Sequence, residues 1–224
     1  MSSAQRQTIR AKLATPPDPF LVTSRTQQRV ASLVNAAGDN ATILNVGAGY
    51  TDLGPRVINI DIFDSGTTDV IGSAMALPFP DACTDLVILQ GVLEHVEDAA
   101  GTIAESIRVL KSGGLFYTEM PFLQPYHESP IDLRRSTKAG LATLCAPLLE
   151  IESGIHIGPA ATFAWFTREL LARLVSGGRP RVYAKASSLI GWLVFPLKYL
   201  DYFFEKIPHL HTVASSCYYL GRKD

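Results

Sequence analysis

Two short apolar runs that flank a glycine turn, between Ile43 and Asp61, constrain the fold of this chain more than any other feature. The first run ends at Val46 before Gly47-Ala48-Gly49, and the second ends on the carboxylate of Asp61. Apolar runs of this length are typical of parallel strands that are buried on both faces. The glycines let the backbone approach a ligand closely, and Asp61 is placed to accept hydrogen bonds from the two hydroxyls of a ribose. The stretch therefore predicts a nucleoside-binding crevice.

The glycine turn alone does not define the ligand, because many strand-to-helix turns use two glycines in this way. The fingerprint of dinucleotide-binding folds requires a third glycine three residues further on, and Asp52 occupies that position. The chain is therefore not expected to be a nicotinamide-dependent oxidoreductase. For these residues taken by themselves, an ordinary tight turn followed by a surface aspartate stays open as the alternative.

Apolar segments of strand length alternate with helical segments along the rest of the chain. About ten residues separate the first two strands, which favours a loop over a crossover helix between them. A helix at about 99–110 is expected to end at Gly113-Gly114. The alternation predicts an α/β protein with a Rossmann-like doubly wound sheet, mainly parallel with an antiparallel last strand. Strands are expected at about 42–46, 57–61, 68–71, 85–90, 115–120, 149–157 and 213–220.

The composition is that of a globular protein with a substantial core, with 47% hydrophobic residues, 18% charged residues and a formal net charge of −1. No dense Lys/Arg run interleaved with aromatic residues is present, so nucleic acid is not an expected partner. The N-terminal residues lack the apolar core of a secretory signal, and the longest apolar stretch, Leu189 to Phe204, is interrupted by Gly191, Pro196 and Asp201. We therefore expect a cytoplasmic protein without a transmembrane segment.

The three cysteines, Cys83, Cys145 and Cys217, are odd in number, far apart and outside any Cys-x-x-Cys spacing. This pattern argues against a disulfide framework and against a structural zinc site, and it fits a reducing compartment. No metal ligands are predicted.

Four stretches in order along the chain carry a resemblance to a known family. They are Asn45-Val46-Gly47-Ala48-Gly49, Asp61 at the end of the next strand, Ala76–Asp81 leading into Thr84–Val87, and Val92-Leu93-Glu94-His95-Val96 with the helix and Leu110–Leu115 after it. Each stretch is a weak signal, but the ordered set is specific. Over residues 41–122 the chain resembles a class I S-adenosylmethionine-dependent methyltransferase of the methyltransferase type 11-like group.

The resemblance implies a cofactor, S-adenosyl-L-methionine, and a set of residues around it. Gly47 and Gly49 would face its methionine and ribose portions, Asp61 would bind the ribose hydroxyls, and Ile62 would pack against the adenine. The other implied positions are Asn45 and Ala48 in the turn, Ser73 and Ala74 near the adenine edge, and Gln90 and Gly91 on the methionyl side. The implied function is methyl transfer to an unidentified small-molecule or glycan-linked acceptor.

This chain departs from the family pattern at three positions. The family usually has an acid where Asn45 stands, an aspartate where Ser73 stands, and a third glycine near Thr51. An asparagine cannot offer charge to the ammonium group of the ligand, so a modest cofactor affinity is expected. A non-catalytic methyltransferase-like binding or scaffold protein therefore stays open as the alternative.

In domain terms, residues 1–20 are expected to form a flexible leader and residues 21–224 a single methyltransferase-like domain. Residues 159–208 would be helical additions to it, and residues 121–140 a loop on the substrate side. Three prolines stiffen that loop, which is rich in titratable groups. The candidate substrate-binding residues are Tyr126, Glu128, Asp132 and Arg135, although an internal ion pair between Asp132 and Arg135 is the favoured alternative for those two.

Two histidines are candidate catalytic residues. A hydroxyl acceptor would need a general base, and an imidazole titrates near neutral pH. His127 in the substrate-side loop is the first candidate, and His95 in the loop after the fourth strand is the second. A structural histidine bonded to a carbonyl or carboxylate is the alternative for each.

The aromatic stretch Leu189 to Phe204 has two interpretations. The favoured one is a helix packed on the sheet near a hydrophobic homodimer surface. The other is a surface that makes peripheral membrane contact, which the aromatic density and the nearby Lys198 and Lys206 suggest.

Overall fold

A computed structural model describes residues 24–127, 131–204 and 207–224 of the chain, with the side chains of residues 24–27 outside the description. The leader predicted at 1–20 lies outside the described residues. The described elements, in chain order, are α1 (Ser24–Ala36), β1 (Ile43–Val46), β2 (Val57–Asp61), β3 (Val70–Ile71), β4 (Thr84–Gln90), α2 (Ala99–Val109), β5 (Leu110–Pro121), α3 (Lys138–Leu144), β6 (Leu149–Ile157), α4 (Pro159–Ser176), α5 (Pro180–Val194), a 3₁₀ helix (Phe195–Leu200), α6 (Asp201–Phe204), a second 3₁₀ helix (Leu210–Val213) and β7 (Ser216–Arg222).

The seven strands form one sheet in the order β3-β2-β1-β4-β5-β7-β6. The strands from β3 to β5 are paired in parallel, and β7 is antiparallel to β5. The predicted fold class, a mainly parallel α/β sheet with an antiparallel last strand, is confirmed.

The connection between β1 and β2 is short, as predicted. The two strands are parallel neighbours, with Ile43 opposite Val57 and Asn45 opposite Asn59. Residues 47–56 between them form turns and extended chain with no helix. A loop therefore replaces the crossover helix, and it leaves the carboxyl ends of β1 and β2 side by side.

The junction of α2 and β5 corrects one prediction. The helix ends at Val109 and the chain enters β5 at once, so Gly113 and Gly114 lie within the strand rather than at the helix end. The register between β4 and β5 shifts in this region, and Gly113 has a φ of 78°. The glycine pair is therefore explained by an irregular strand rather than by a helix cap.

Both faces of the sheet are buried, which explains the continuous apolar runs. Side chains of successive strand residues point to opposite faces, so each central strand contributes to two hydrophobic clusters. One cluster includes Leu44, Val46, Val87, Leu89 and Phe116, and the other includes Ile43, Leu86, Ile88 and Tyr117, with Val30 and Val34 of α1 packed there.

The described residues divide into two compact units. The sheet unit comprises residues 24–122, 126–156 and 216–224, and the helical unit comprises residues 123–125 and 157–215. The helical additions predicted at 159–208 fall within the second unit. The assignment of residues 21–224 to a single domain stays a prediction. In the part of the chain that is described, no helix combines the length and the apolar character needed to cross a membrane.

Within the helical unit, a buried carboxylate caps the longest helix. Asp201 is completely buried, and its two oxygens accept hydrogen bonds from the backbone N–H groups of Ala160 (2.8 Å) and Ala161 (3.0 Å) in the first turn of α4. Gly158, which precedes the helix, has no side chain to cap it, and a Cβ at that position would collide with the Asp201 carboxylate. Asp201 therefore accepts hydrogen bonds from N–H groups in the first turn of α4 that no side chain next to the helix start could cap.

We expect Asp201→Ala to lower the free energy of unfolding by about 2 kcal/mol, because it leaves two buried N–H groups without acceptors. Urea unfolding followed by circular dichroism measures the change. Asp98→Ala is the matched control, since Asp98 caps α2 at an exposed position with one bond to the N–H of Gly101 (2.8 Å). A loss for Asp201→Ala no larger than that of the control would contradict the assigned role.

Candidate functional site

The glycine turn after β1 is held against the end of β2. The N–H groups of Gly47 and Ala48 both donate to the carbonyl oxygen of Ile60, at 2.8 and 3.0 Å. Gly47 has a φ of 68°, and a Cβ there would lie 2.5 Å from Cγ2 of Val92. Gly49 also has a positive φ, but a Cβ at that position would meet nothing within 4 Å. Gly47 is therefore required by packing, whereas Gly49 borders open space.

Asp61 closes the turn from the neighbouring strand. Its Oδ2 accepts a hydrogen bond from the N–H of Gly49 at 2.7 Å, and its Oδ1 accepts one from the N–H of Phe63 at 3.4 Å. A carboxylate has about four lone-pair positions, so both oxygens keep capacity for further donors. The structure thus brings together the two glycines and the carboxylate that the sequence singled out.

Exposed apolar side chains adjoin Gly49 and Asp61 in the chain. Ile62 is 60% exposed, and its contact with an adenine ring stays a prediction. Sequence reasoning missed Tyr50 and Phe63, which are 79% and 44% exposed and whose ring centroids lie 6.0 Å apart. Their positions in the sequence could have indicated them, since Tyr50 directly follows Gly49 and Phe63 directly follows Asp61-Ile62.

The side chain of Asn45 forms hydrogen bonds within the protein and is not exposed to the crevice. Its side chain is buried, and Nδ2 donates to Oδ1 of Asn59 at 3.0 Å and to the carbonyl oxygen of Thr51 at 3.3 Å. These bonds tie β1 to β2 and to the loop that follows the glycine turn. Asn45 therefore supports the turn from beneath, and a direct contact with a ligand stays a prediction.

The segment after β3 lies against the end of β2. The N–H of Gly72 donates to the backbone carbonyl of Asp61 at 2.8 Å. The next two residues form a turn, in which Ser73 Oγ accepts a hydrogen bond from the N–H of Met75 at 3.2 Å and Ala74 is buried. The predicted adenine-edge positions are thus connected to Asp61 through the backbone.

Gln90 ends β4 and belongs to a buried polar network. Its Nε2 donates to Oε1 of Glu119 at 3.2 Å, and its Oε1 is buried with no hydrogen bond from any described residue. The hydroxyl of Tyr117 donates to the same Glu119 oxygen at 2.7 Å, and His156 Nε2 lies 3.1 Å from the other. Gly91 follows with a φ of 66° and turns the chain away from the sheet.

Burial controls ionisation in this network. Burial raises the pKa of Glu119 to about 7, against the hydrogen bonds from Tyr117 and Gln90, which lower it. Burial, followed by the positive charge of Arg29, lowers the pKa of His156 to about 3. The contact between Glu119 and His156 is therefore a hydrogen bond between neutral groups below pH 7 rather than an ion pair.

The two candidate catalytic histidines meet over the turn that follows Gly91. The rings of His95 and His127 lie edge to face, with centroids 5.3 Å apart. The Nε2 atom of each lies 3.8 Å from Oε1 of Glu94, a buried residue that sequence reasoning did not select. Glu94 is part of the Val92–Val96 stretch, but nothing in the sequence shows that its carboxylate is turned inward.

The substrate-side loop is fastened internally. Arg135 makes a two-pronged ion pair with Asp132, whose side chain is almost fully buried. Burial raises the pKa of Asp132, but hydrogen bonds from Arg135 and from the N–H of His127 (2.8 Å) outweigh it, so this pKa lies below its ordinary value. The structure thus supports the internal ion pair, and substrate binding by these two residues stays a prediction. Tyr126 is exposed, and Glu128 lies outside the described residues.

Known proteins match the region that carries this site. Residues 45–118 match the family described as methyltransferase domain. A relative from Mycolicibacterium smegmatis, named as a probable S-adenosylmethionine-dependent methyltransferase, is 31% identical over a match of 124 residues that covers 47% of this chain and 47% of the relative. A demethylmenaquinone methyltransferase from Symbiobacterium thermophilum is 33% identical over 73 residues, which are 33% of this chain and 29% of the relative. The matched part thus spans about half, or less, of these relatives.

Solved structures show the same fold at low identity. The 1,6-didemethyltoxoflavin-N1-methyltransferase of Burkholderia thailandensis has a TM-score of 0.53 at 14% identity, over 88% of this chain and 78% of the other. The [4+2]-cyclase SpnF has a TM-score of 0.54 at 15% identity, over 87% and 80%. Because a cyclase shares the fold, the fold alone does not define the reaction.

The buried Glu119 network generates a prediction about pH. The folded state keeps a proton on Glu119 between about pH 4.5 and 7 that the unfolded chain releases, so the free energy of unfolding falls as the pH rises from about 4.5 to 7, and this group changes it no further above pH 7. Between pH 5 and 7, the melting temperature of the wild-type chain should therefore fall relative to that of Glu119→Gln, which keeps the shape without a titrating group. Melting curves that fall in parallel would contradict the raised pKa.

Residues 45–118 are thus similar to the methyltransferase domain family, in agreement with the S-adenosylmethionine-dependent class that the sequence motifs resemble.

Proposed function

We propose that this protein binds S-adenosylmethionine and transfers its methyl group to a small-molecule or glycan-linked acceptor. The observation that carries the proposal is the junction of Gly49 and Asp61, where a backbone N–H meets a carboxylate beside open space. The family match over residues 45–118 supports it. The names of the relatives point to the same reaction class.

The residues present fit an adenosine-containing ligand. Asp61 keeps acceptor capacity on both oxygens for ribose hydroxyls. Tyr50, Ile62 and Phe63 offer exposed apolar surface to a flat ring next to that carboxylate. The buried Oε1 of Gln90, which accepts no hydrogen bond from the described residues, would accept one from the ammonium group of the methionyl portion.

For methyl transfer, the protein chiefly has to align the acceptor atom with the methyl group and to exclude water. When bound, the cofactor supplies a methyl group on a positively charged sulfur that an acceptor atom displaces in line. The chain would hold the donor at the carboxyl ends of β1, β2 and β4, the edge where ligands of open α/β sheets bind. His127 or His95 would take up the proton of a hydroxyl acceptor, and both side chains are partly exposed to the surface.

The acceptor is proposed only as a class. The structure of the Burkholderia thailandensis enzyme contains bound 1,6-didemethyltoxoflavin and S-adenosylhomocysteine, so its acceptor is a small molecule. For this chain, exposed Tyr126 is the proposed contact to an acceptor. Asp132 and Arg135 would act by holding the loop.

A non-catalytic binding protein is the second candidate, and one observation favours it. Both side chains that depart from the family pattern are occupied within the protein, Asn45 by Asn59 and Thr51, and Ser73 by the N–H of Met75. Neither supplies a charge to the ligand. Binding of the cofactor product without turnover on any acceptor would support this candidate.

The helical unit offers a surface for another molecule. Exposed apolar side chains recur along α4, α5 and α6, among them Leu170, Leu174, Leu193, Tyr202 and Phe203. An exposed apolar surface of this kind is typical of an interaction site. We propose that it pairs two copies of the chain, with peripheral membrane contact as the alternative.

Asp61→Ala should weaken the binding of S-adenosylhomocysteine by about 1–3 kcal/mol, because the ribose hydroxyls lose their acceptor. Isothermal titration calorimetry with S-adenosylhomocysteine, S-adenosylmethionine and NADH measures it, and NADH should show no binding. Asp64→Ala is the matched control, since Asp64 is exposed and three residues further on. An unchanged dissociation constant for Asp61→Ala would contradict the ribose role, and wild-type binding of NADH alone would remove the proposed function.

Analytical ultracentrifugation and sedimentation with anionic vesicles test the helical surface. We expect a dimer that Leu174→Glu with Leu193→Glu dissociates, and protein that stays in the supernatant with vesicles. A monomer at all concentrations would contradict the dimer, and co-sedimentation would favour the membrane alternative.

A further inference from the structure

Three side chains that can each offer a ligand atom to a cation meet beside the carboxyl end of β4. They are Glu94, His95 and His127. We propose that this Glu-His-His cluster binds one divalent transition-metal ion. Cysteine spacing predicts no metal site, and the sequence does not show that the fold brings His127 to the Glu94-His95 pair.

The distances suit a cation placed among the three groups. Oε1 of Glu94 lies 3.8 Å from Nε2 of His95 and 3.8 Å from Nε2 of His127, and the three ligand atoms all lie within 4.8 Å of one another. Ligands bound to zinc at about 2.0–2.1 Å are roughly 3.3 Å apart in a tetrahedron. Small side-chain rotations would therefore bring all three atoms to bonding distance. At 3.8 Å, in contrast, neither imidazole forms a normal hydrogen bond with that oxygen.

The Glu94 carboxylate shows independently that a partner is needed. Glu94 is only 2% exposed, and its Oε2 is buried with no hydrogen bond from any described residue. A buried carboxylate is costly unless a charge or a donor compensates it, and buried charges in proteins are paired or coordinate metals. A cation bound between Glu94 and the two imidazoles supplies that compensation.

Both histidines turn Nε2 toward Glu94. Nδ1 of His95 lies 2.5 Å from the carbonyl oxygen of Ile131, and a ring N–H that donates to a carbonyl fixes the tautomer whose Nε2 binds a metal. Nδ1 of His127 lies 3.4 Å from Nη2 of Arg135, which can only donate, and 3.6 Å from Oδ2 of Asp132, which is beyond a normal hydrogen bond. An ion bound at Nε2 of His127 would therefore shift the ring proton to Nδ1, the atom that faces Asp132.

The surrounding loops are tied together where the ligands sit. Arg134 donates to the carbonyl oxygens of Leu93 (3.1 Å), Val96 (2.7 Å) and Glu97 (2.7 Å), and the N–H of Leu133 donates to the carbonyl oxygen of Glu94 (2.9 Å). These bonds join the two segments that supply the ligands, so the cluster is preorganised. The positive charge of Arg135 is offset by its ion pair with Asp132, so it does not oppose a cation at Nε2.

The donor set indicates the class of ion. Two imidazole nitrogens and one carboxylate oxygen suit zinc, cobalt, iron or manganese better than calcium or magnesium, which prefer oxygen ligands. Three protein ligands leave coordination positions open, as in catalytic rather than structural sites. If the proposed function holds, on which this step rests, an oxygen of the acceptor would occupy an open position, which favours an acceptor with a hydroxyl group. With both Nε2 atoms bound to the ion, neither His127 nor His95 could then serve as the general base.

Cobalt(II) is the probe, because its visible absorption reports coordination. The full chain, freed of any affinity tag and treated with chelator, should bind one cobalt ion, without the near-ultraviolet charge-transfer band that a cysteine ligand would produce. Glu94→Gln and His127→Ala should each weaken binding at least about 100-fold, and Asp132→Asn about 10-fold. His211→Ala is the matched control, because His209 and His211 form another histidine pair with ring centroids 6.2 Å apart. This variant should bind like the wild type.

Thermal unfolding supplies a second readout that does not depend on activity. Cobalt should raise the melting temperature of the wild-type chain and of His211→Ala but not of Glu94→Gln. No cobalt binding, binding that Glu94→Gln retains, or binding lost in His211→Ala would each overturn the proposal. Calorimetry of the metal-free chain with S-adenosylhomocysteine separates this outcome from failure of the proposed function, because none of the residues proposed to bind that ligand belongs to the Glu-His-His cluster.

Discussion

The hydrogen bond from the N–H of Gly49 to the carboxylate of Asp61 is the interaction on which the candidate site depends. It joins the turn after β1 to the end of β2, two strands that a loop rather than a helix connects. Because the strands are parallel neighbours, their carboxyl ends reach the same edge, and the bond fixes the carboxylate relative to the turn. The exposed aromatic side chains of Tyr50 and Phe63 are placed by the same turn and strand end.

A second polar centre lies further along the same sheet edge, where β4 ends. The Glu94, His95 and His127 cluster is built from two segments held together by Arg134 and the backbone. The first centre suits a nucleoside, and the second suits a cation or a proton. If the two centres hold the methyl donor and the acceptor as proposed, they would supply the alignment of reactants that group transfer requires.

Much of this could be predicted from the sequence, for identifiable reasons. The strands, their parallel pairing and the meeting of the glycine turn with Asp61 follow from local patterns of apolar residues, glycines and a terminal carboxylate. Residues whose role depends on distant partners could not be predicted. The buried carboxylate of Glu94 faces His127, which lies 33 residues later in the chain. Glu119 contacts His156 across the sheet, and Asp201 caps a helix that begins about forty residues earlier. The prediction that Gly113-Gly114 ends the helix is wrong, because glycine is favoured both at helix ends and at irregularities within a strand, and here the pair lies in β5.

The amide pair beneath the glycine turn has a consequence for the conditions under which the turn keeps its shape. Asn45 and Asn59 face each other across β1 and β2 and bond through groups that neither gain nor lose a proton in water. An acid in the place of Asn45 would change its charge in mildly acidic surroundings and would disturb the loop at Thr51. With two neutral amides, the side-chain bond that joins β1 to β2 below the glycine turn is insensitive to acidity.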